Sequence, residues 1–170
     1  MRRILTATFT GLLTTPAAAG DATVSIEIPR LTVAEYHRPY VAFWIESKDG
    51  GKISNLAVWY DTKQKANEGT KWLKDMRQWW RRTGQELSLP MDGLSSPTRQ
   101  PGTHQFKIDA AARPLSELPP GDYTLIVEAA REVGGRELLR IPFQWPPRAA
   151  QVLEAKGEHE ISSISLSLVP

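Results

Sequence analysis

Pro39 to Glu46 reads PYVAFWIE, and Ile53 to Tyr60 reads ISNLAVWY, with Asp49-Gly50-Gly51 between them. Both runs are β-branched and aromatic, which suits a pleated, packed surface. The Asp-Gly-Gly connection tolerates positive φ, so the two runs predict a β-hairpin. Outward from it, the same grammar repeats. Val24, Ile26 and Ile28 alternate with Thr23, Ser25 and Glu27, the period-2 pattern of a half-buried strand. Further strands are expected at His104–Asp109, Tyr123–Glu132 and Glu137–Trp145, the last two joined through Gly134-Gly135. Ala129 and Ala130 interrupt the β-branched pattern and make a helix the rival there, but the reversal and the partner run favour a strand. In the tail, Ile164, Leu166 and Leu168 alternate with Ser163, Ser165 and Ser167. The count and spacing predict a mainly β fold, an immunoglobulin-like antiparallel β-sandwich formed by residues 20–170 as a single domain.

One segment has another period. In Lys71–Arg82 (KWLKDMRQWWRR) the apolar residues Trp72, Leu73, Met76, Trp79 and Trp80 fall within an arc of about 120° at 100° per residue. An amphipathic helix of about three turns is expected, ending at Gly84 and capping one end of the sandwich. A docking surface for a membrane partner, or an aromatic wall for a flat ligand, is the functional reading of the same tryptophans.

The chain opens as an export signal. Arg2 and Arg3 precede the uncharged stretch Ile4–Leu13, Pro16 breaks it, and Ala17-Ala18-Ala19 supplies small residues for cleavage. Cleavage after Ala19 would start the mature protein at Gly20. It would also remove two of the 21 basic residues, leaving 19 against 19 acidic ones. A neutral mature chain gives no electrostatic reason for binding nucleic acid or acidic lipid. Cysteine is absent, which excludes disulfides, thiolate metal sites, thiol nucleophiles and covalently attached c-type haem.

Motifs for a nucleophile elbow, a phosphate loop, a dinucleotide site or a zinc protease are missing. His37, His104 and His159 lie far apart without metal-ligand spacing. No catalytic group is assigned, and the expectation is a protein that is not an enzyme. Tyr36-His37-Arg38-Pro39-Tyr40 sets two phenols, an imidazole and a guanidinium before a strand, a cluster suited to an anion, a partner or an axial haem position. Asp92-Gly93-Leu94-Ser95-Ser96-Pro97-Thr98-Arg99 is polar and is expected to form an exposed loop.

Several stretches carry a resemblance. Tyr36–Trp44, Val58-Trp59-Tyr60, Lys71-Trp72-Leu73 through Trp79-Trp80-Arg81, Thr98–Gly102, Gly121–Leu125 and above all Glu128–Glu137 (EAAREVGGRE) resemble the predicted periplasmic domain-of-unknown-function family 2271. The resemblance implies a periplasmic protein working beside an inner-membrane PepSY-type protein, and with a flavin transferase, in iron acquisition or electron transfer. Pro101-Gly102 with Pro120-Gly121-Asp122-Tyr123 is similar to the immunoglobulin-like domain of flagellar hook-capping proteins. Asp92–Thr98 is also similar to the acceptor motif of periplasmic flavin transferases. That likeness implies FMN esterified to Thr98, with Asp92, Ser95 and Arg99 around it and indoles of the Trp72–Trp80 segment against the ring. Ser96 and Pro97 stand where that motif has Gly and Ala, and they hold the backbone toward extended conformations.

Overall fold

A computed structural model describes residues 20–170; the expected signal segment, 1–19, lies outside the described residues. Among the described residues nine strands form two packed sheets. They are β1 (Asp21–Ile28), β2 (Tyr40–Ser47), β3 (Ile53–Tyr60), β4 (Ser95–Pro97), β5 (Gly102–Ile108), β6 (Gly121–Ala130), β7 (Arg136–Trp145), β8 (Gln151–Lys156) and β9 (Ser163–Val169). One sheet has the order β5-β1-β9-β8 and the other β4-β3-β2-β6-β7. All pairings are antiparallel except β3 with β4, which run parallel. The expected β-sandwich is therefore present. Its tyrosine corner is too: the Tyr123 hydroxyl, at the start of β6, donates to the Pro119 carbonyl at 2.6 Å, as in immunoglobulin-like folds.

Both expected hairpins form. β2 and β3 pair antiparallel across the turn, where Gly50 takes φ 72°, a conformation available to glycine without a Cβ penalty. β6 and β7 pair from Ala130↔Arg136 to Gly121↔Trp145. There the positive φ falls on Val133, at 51°, and neither Gly134 nor Gly135 has one.

The continuous apolar run of β2 has a simple cause: its sheet is buried on both faces. Val41, Phe43 and Ile45 point into the space between the sheets, with Val24, Ile26, Leu125, Val127, Leu166 and Leu168. Ala42 and Trp44 point the other way, into a second core with Val58, Tyr60, Ile126, Leu73, Met76 and Trp79. The helical segment thus lies over the outer face of the five-stranded sheet instead of capping an end of the sandwich.

That segment is also not one amphipathic helix. Lys65–Asp75 is a tight 3₁₀ stretch with left-handed breaks at Ala66 and Asn67, and Met76 (ψ 73°) separates it from a short helix α1 (Arg77–Arg82). Leu73 from the 3₁₀ stretch, Met76 at the junction and Trp79 from α1 are all buried on the sheet. Trp72 and Trp80 are not buried with them; Trp72 keeps 43% of its surface exposed.

Candidate functional site

The topology gathers several chain segments at one end of the five-stranded sheet. β3 and β4 are parallel and end together, β2 starts beside the end of β3, and β6 ends beside the start of β2 (Tyr40↔Ala130). Around this corner lies a cleft of about 350 Å³, within the range of small-molecule sites. Its walls come from His37, Arg38 and Tyr40 before and on β2, from Asp61, Lys63 and Gln64 after β3, from Trp72 and Asp75, from Pro97 and Thr98, and from Ala130 and Glu132. The 3₁₀ wall approaches closely because Gly69 packs on the Asp61 backbone; a Cβ there would sit 2.0 Å from the Asp61 carbonyl oxygen.

Five residues singled out from sequence therefore meet in one place: His37, Arg38, Tyr40, Trp72 and Thr98. The others do not. Tyr36 is turned inward, its ring under the Arg131 guanidinium at 5.9 Å and its hydroxyl buried without a partner. Burial raises its pKa. Trp79 is fully buried and its indole N–H donates to Asn55 Oδ1 at 2.8 Å, while Trp80 packs at the edge of the second core. Neither lines the cleft.

The 92–99 segment departs from the expected exposed loop. Ser95-Ser96-Pro97 is strand β4, in register with Val58-Trp59-Tyr60, and the Thr98 amide donates to the Tyr60 carbonyl at 3.2 Å. The Ser95 hydroxyl accepts the Met91 amide at 3.0 Å. Asp92 is exposed and outside the cleft. Arg99 faces away from Thr98's cleft, over the Trp59 ring at 5.2 Å, in a groove on the other side of β4. Extended residues alternate faces, which accounts for Thr98 and Arg99 parting.

Within the cleft most carboxylates are already engaged. Asp61 accepts the Lys63 amide and the Gln64 side-chain amide, at 3.2 and 3.1 Å. Glu132 stands 3.6 Å from His37 Nδ1, and His37 Nε2 contacts Glu35 at 2.8 Å. Asp75, Arg38 and Lys63 make no ion pair among the described residues. Burial, first, raises the Tyr40 hydroxyl pKa against a backbone hydrogen bond at Asp61, so Tyr40 stays a neutral phenol. The cleft thus offers two cations, Arg38 and Lys63, and one carboxylate, Asp75, outside ion pairs among the described residues, beside a phenol, a hydroxyl and an exposed indole. Among the described residues no three His, Asp or Glu side chains group as metal ligands.

Sequence reading missed Asp61, Lys63, Gln64, Asp75 and Glu132 as cleft residues. The polar turn Asp61-Thr62-Lys63-Gln64, directly after a strand end, was the available signal.

The fold and the cleft define a β-sandwich protein with a concave polar corner. The chain belongs to the family described as Predicted periplasmic protein (DUF2271), which matches residues 21–163. No curated protein and no solved structure matches the chain. Among the described residues no helix is long and apolar enough to cross a membrane.

Proposed function

We propose that this protein is a non-enzymatic periplasmic accessory domain of an iron-acquisition or electron-transfer system, and that it engages an inner-membrane PepSY-type partner through the cleft at the β2–β3–β4–β6 corner. The observation that carries the reading is the meeting of His37, Arg38, Tyr40, Trp72 and Thr98, from three separated segments, around one concave surface. Arg38 and Lys63 offer charge to an acidic or phosphate-bearing group, and the Trp72 indole offers the exposed aromatic anchor typical of binding hot spots.

A second reading, FMN carried on Thr98, has one observation in its favour: Thr98 and Trp72 line the same cleft. The acceptor segment itself is engaged in pairing with β3, which leaves Thr98 half-buried with its amide bonded.

One experiment addresses both. The mature chain is co-expressed with its PepSY-type partner and a periplasmic flavin transferase, then captured and weighed intact. The expected result is capture of the partner by wild type, its loss in Trp72→Ala and Arg38→Ala, and an unmodified mass. A covalent FMN adduct that disappears in Thr98→Ala would favour the carrier reading instead, and capture unaffected by either cleft variant would overturn the docking reading.

A further inference from the structure

Residues 29–39 carry the chain from β1 in the four-stranded sheet to β2 in the five-stranded one, with no strand or helix of their own. His37 and Arg38, near the end of this strap, line the cleft. The Tyr36 ring meets the Arg131 guanidinium, and His37 approaches Glu132, just past the end of β6. Among the described residues no other ion pair joins residues 29–39 to another segment. The charged tie between the strap and the rest of the protein therefore runs through an imidazole.

That imidazole stands between two carboxylates. Nε2 of His37 is 2.8 Å from Glu35 Oε1, and Nδ1 is 3.6 Å from Glu132 Oε2. An ionised carboxylate only accepts hydrogen bonds, and a neutral imidazole has one N–H to donate. The shorter contact takes it, so Nε2–H donates to Glu35. Nδ1 then turns a lone pair toward Glu132, at a distance too long for a hydrogen bond. A ring protonated at both nitrogens has a donor for each carboxylate. The other charged groups that share the cleft with His37 are Arg38 on the strap, Asp61 and Lys63 after β3, and Asp75 of the 3₁₀ stretch, with Tyr40 as the phenol. Asp61 is held by the Lys63 amide and the Gln64 side chain. Arg131, beside Glu132 in sequence, is committed to Glu160 at two points.

We propose that His37 is a proton-operated clamp on the wall of the cleft. Uptake of a proton from solvent at Nδ1 makes the ring a bridge from Glu35 to Glu132. The bridge fixes the strap to the β6–β7 turn and adds a positive charge beside Arg38. Loss of that proton releases Glu132 and leaves the Tyr36 ring against Arg131 to hold the strap. Histidine ordinarily changes charge between about pH 5 and 8, a window in which glutamates are ordinarily carboxylates. The contact is thus present in acid and lost as pH rises. It goes beyond the docking reading and does not depend on what the cleft binds.

The test uses the mature chain and NMR. The imidazole nitrogen signals of His37 and the side-chain carboxyl carbon signal of Glu132 are followed from about pH 5.5 to about pH 8. The Glu132 signal is expected to move with the same midpoint as His37 and to lose that step in His37→Gln. Thermal melts give a second readout. Wild type should melt about 1–3 °C above His37→Gln at about pH 5.5, the size an exposed ion pair allows. The gap should close by about pH 8, and Glu132→Gln should lose the same acid-side gain. A Glu132 signal indifferent to the His37 titration, or a melting gap that stays constant or widens as pH rises, would overturn the clamp.

Discussion

Glu128, Arg131, Arg136 and Glu137 direct their charges at the protein itself. Glu128, fully buried on β6, accepts the Gln78 and Trp79 amides at 3.1 and 2.7 Å and the Arg136 guanidinium at 2.7 Å. It thus satisfies open amides at the start of α1 from a neighbouring strand. Arg131 forms a buried two-point pair with Glu160, which also accepts the Gly135 amide. Glu137 accepts the amides of Glu158, His159 and Ile161 at 2.6–3.1 Å. The run EAAREVGGRE, which carries much of the family resemblance, is accordingly a structural staple between α1, the β6–β7 hairpin and the β8–β9 turn. Desolvation works to raise the Glu137 pKa, but those backbone hydrogen bonds overcome it and hold the carboxylate below its ordinary 4.5. A carboxylate with a depressed folded pKa contributes stability above its unfolded pKa and loses it as pH falls through the folded one. Urea unfolding of wild type and Glu137→Gln should therefore show wild type more stable at neutral pH, with the gap closing as pH drops below about 4.5. A gap that is constant with pH would mean that the turn does not depend on the ionised carboxylate.

The strands and their hairpins were legible in the sequence because each has one face, or both, committed to a core. β1 and β9 show it by alternation, and β2 by a run without polar interruption. The helical segment was legible only in part. Its apolar residues fit an α-helical arc on paper, yet the chain is 3₁₀ as far as Asp75, breaks at Met76 and turns α-helical from Arg77 to Arg82. A period of 3 and one of 3.6 differ little over so few residues. β4 was hidden because a three-residue parallel strand ending in proline has the composition of a turn. The same residues separate the tryptophans by role. Trp79→Ala should cost about 3–5 kcal/mol, as large aromatic truncations in a core do, whereas Trp72→Ala should cost less than about 1 kcal/mol. Thermal and urea melts of the two variants check this, and equal losses would mean that Trp72 is as much a core residue as Trp79.

Across the whole molecule, the two sheets leave unequal ends. The double-sided burial of β2, β3 and β6 fixes the five-stranded sheet as a rigid plate, and loops at its β2–β3–β4–β6 corner display the cleft. Half of that site was legible: His37, Arg38, Tyr40, Trp72 and Thr98 stood out as residue types. Their company, Asp61, Lys63, Asp75 and Glu132, follows from strand order and the parallel β3–β4 pairing, which no local pattern encodes. The central claim is that this corner is the working surface. Site-specific photo-crosslinking in the native periplasm tests it most directly, with the reactive group placed at Trp72 or, on the opposite sheet, at exposed Val152. Crosslinking from Trp72 to one inner-membrane PepSY-type protein, with none from Val152, is the predicted result. Crosslinking to that protein from Val152 and not from Trp72 would contradict it.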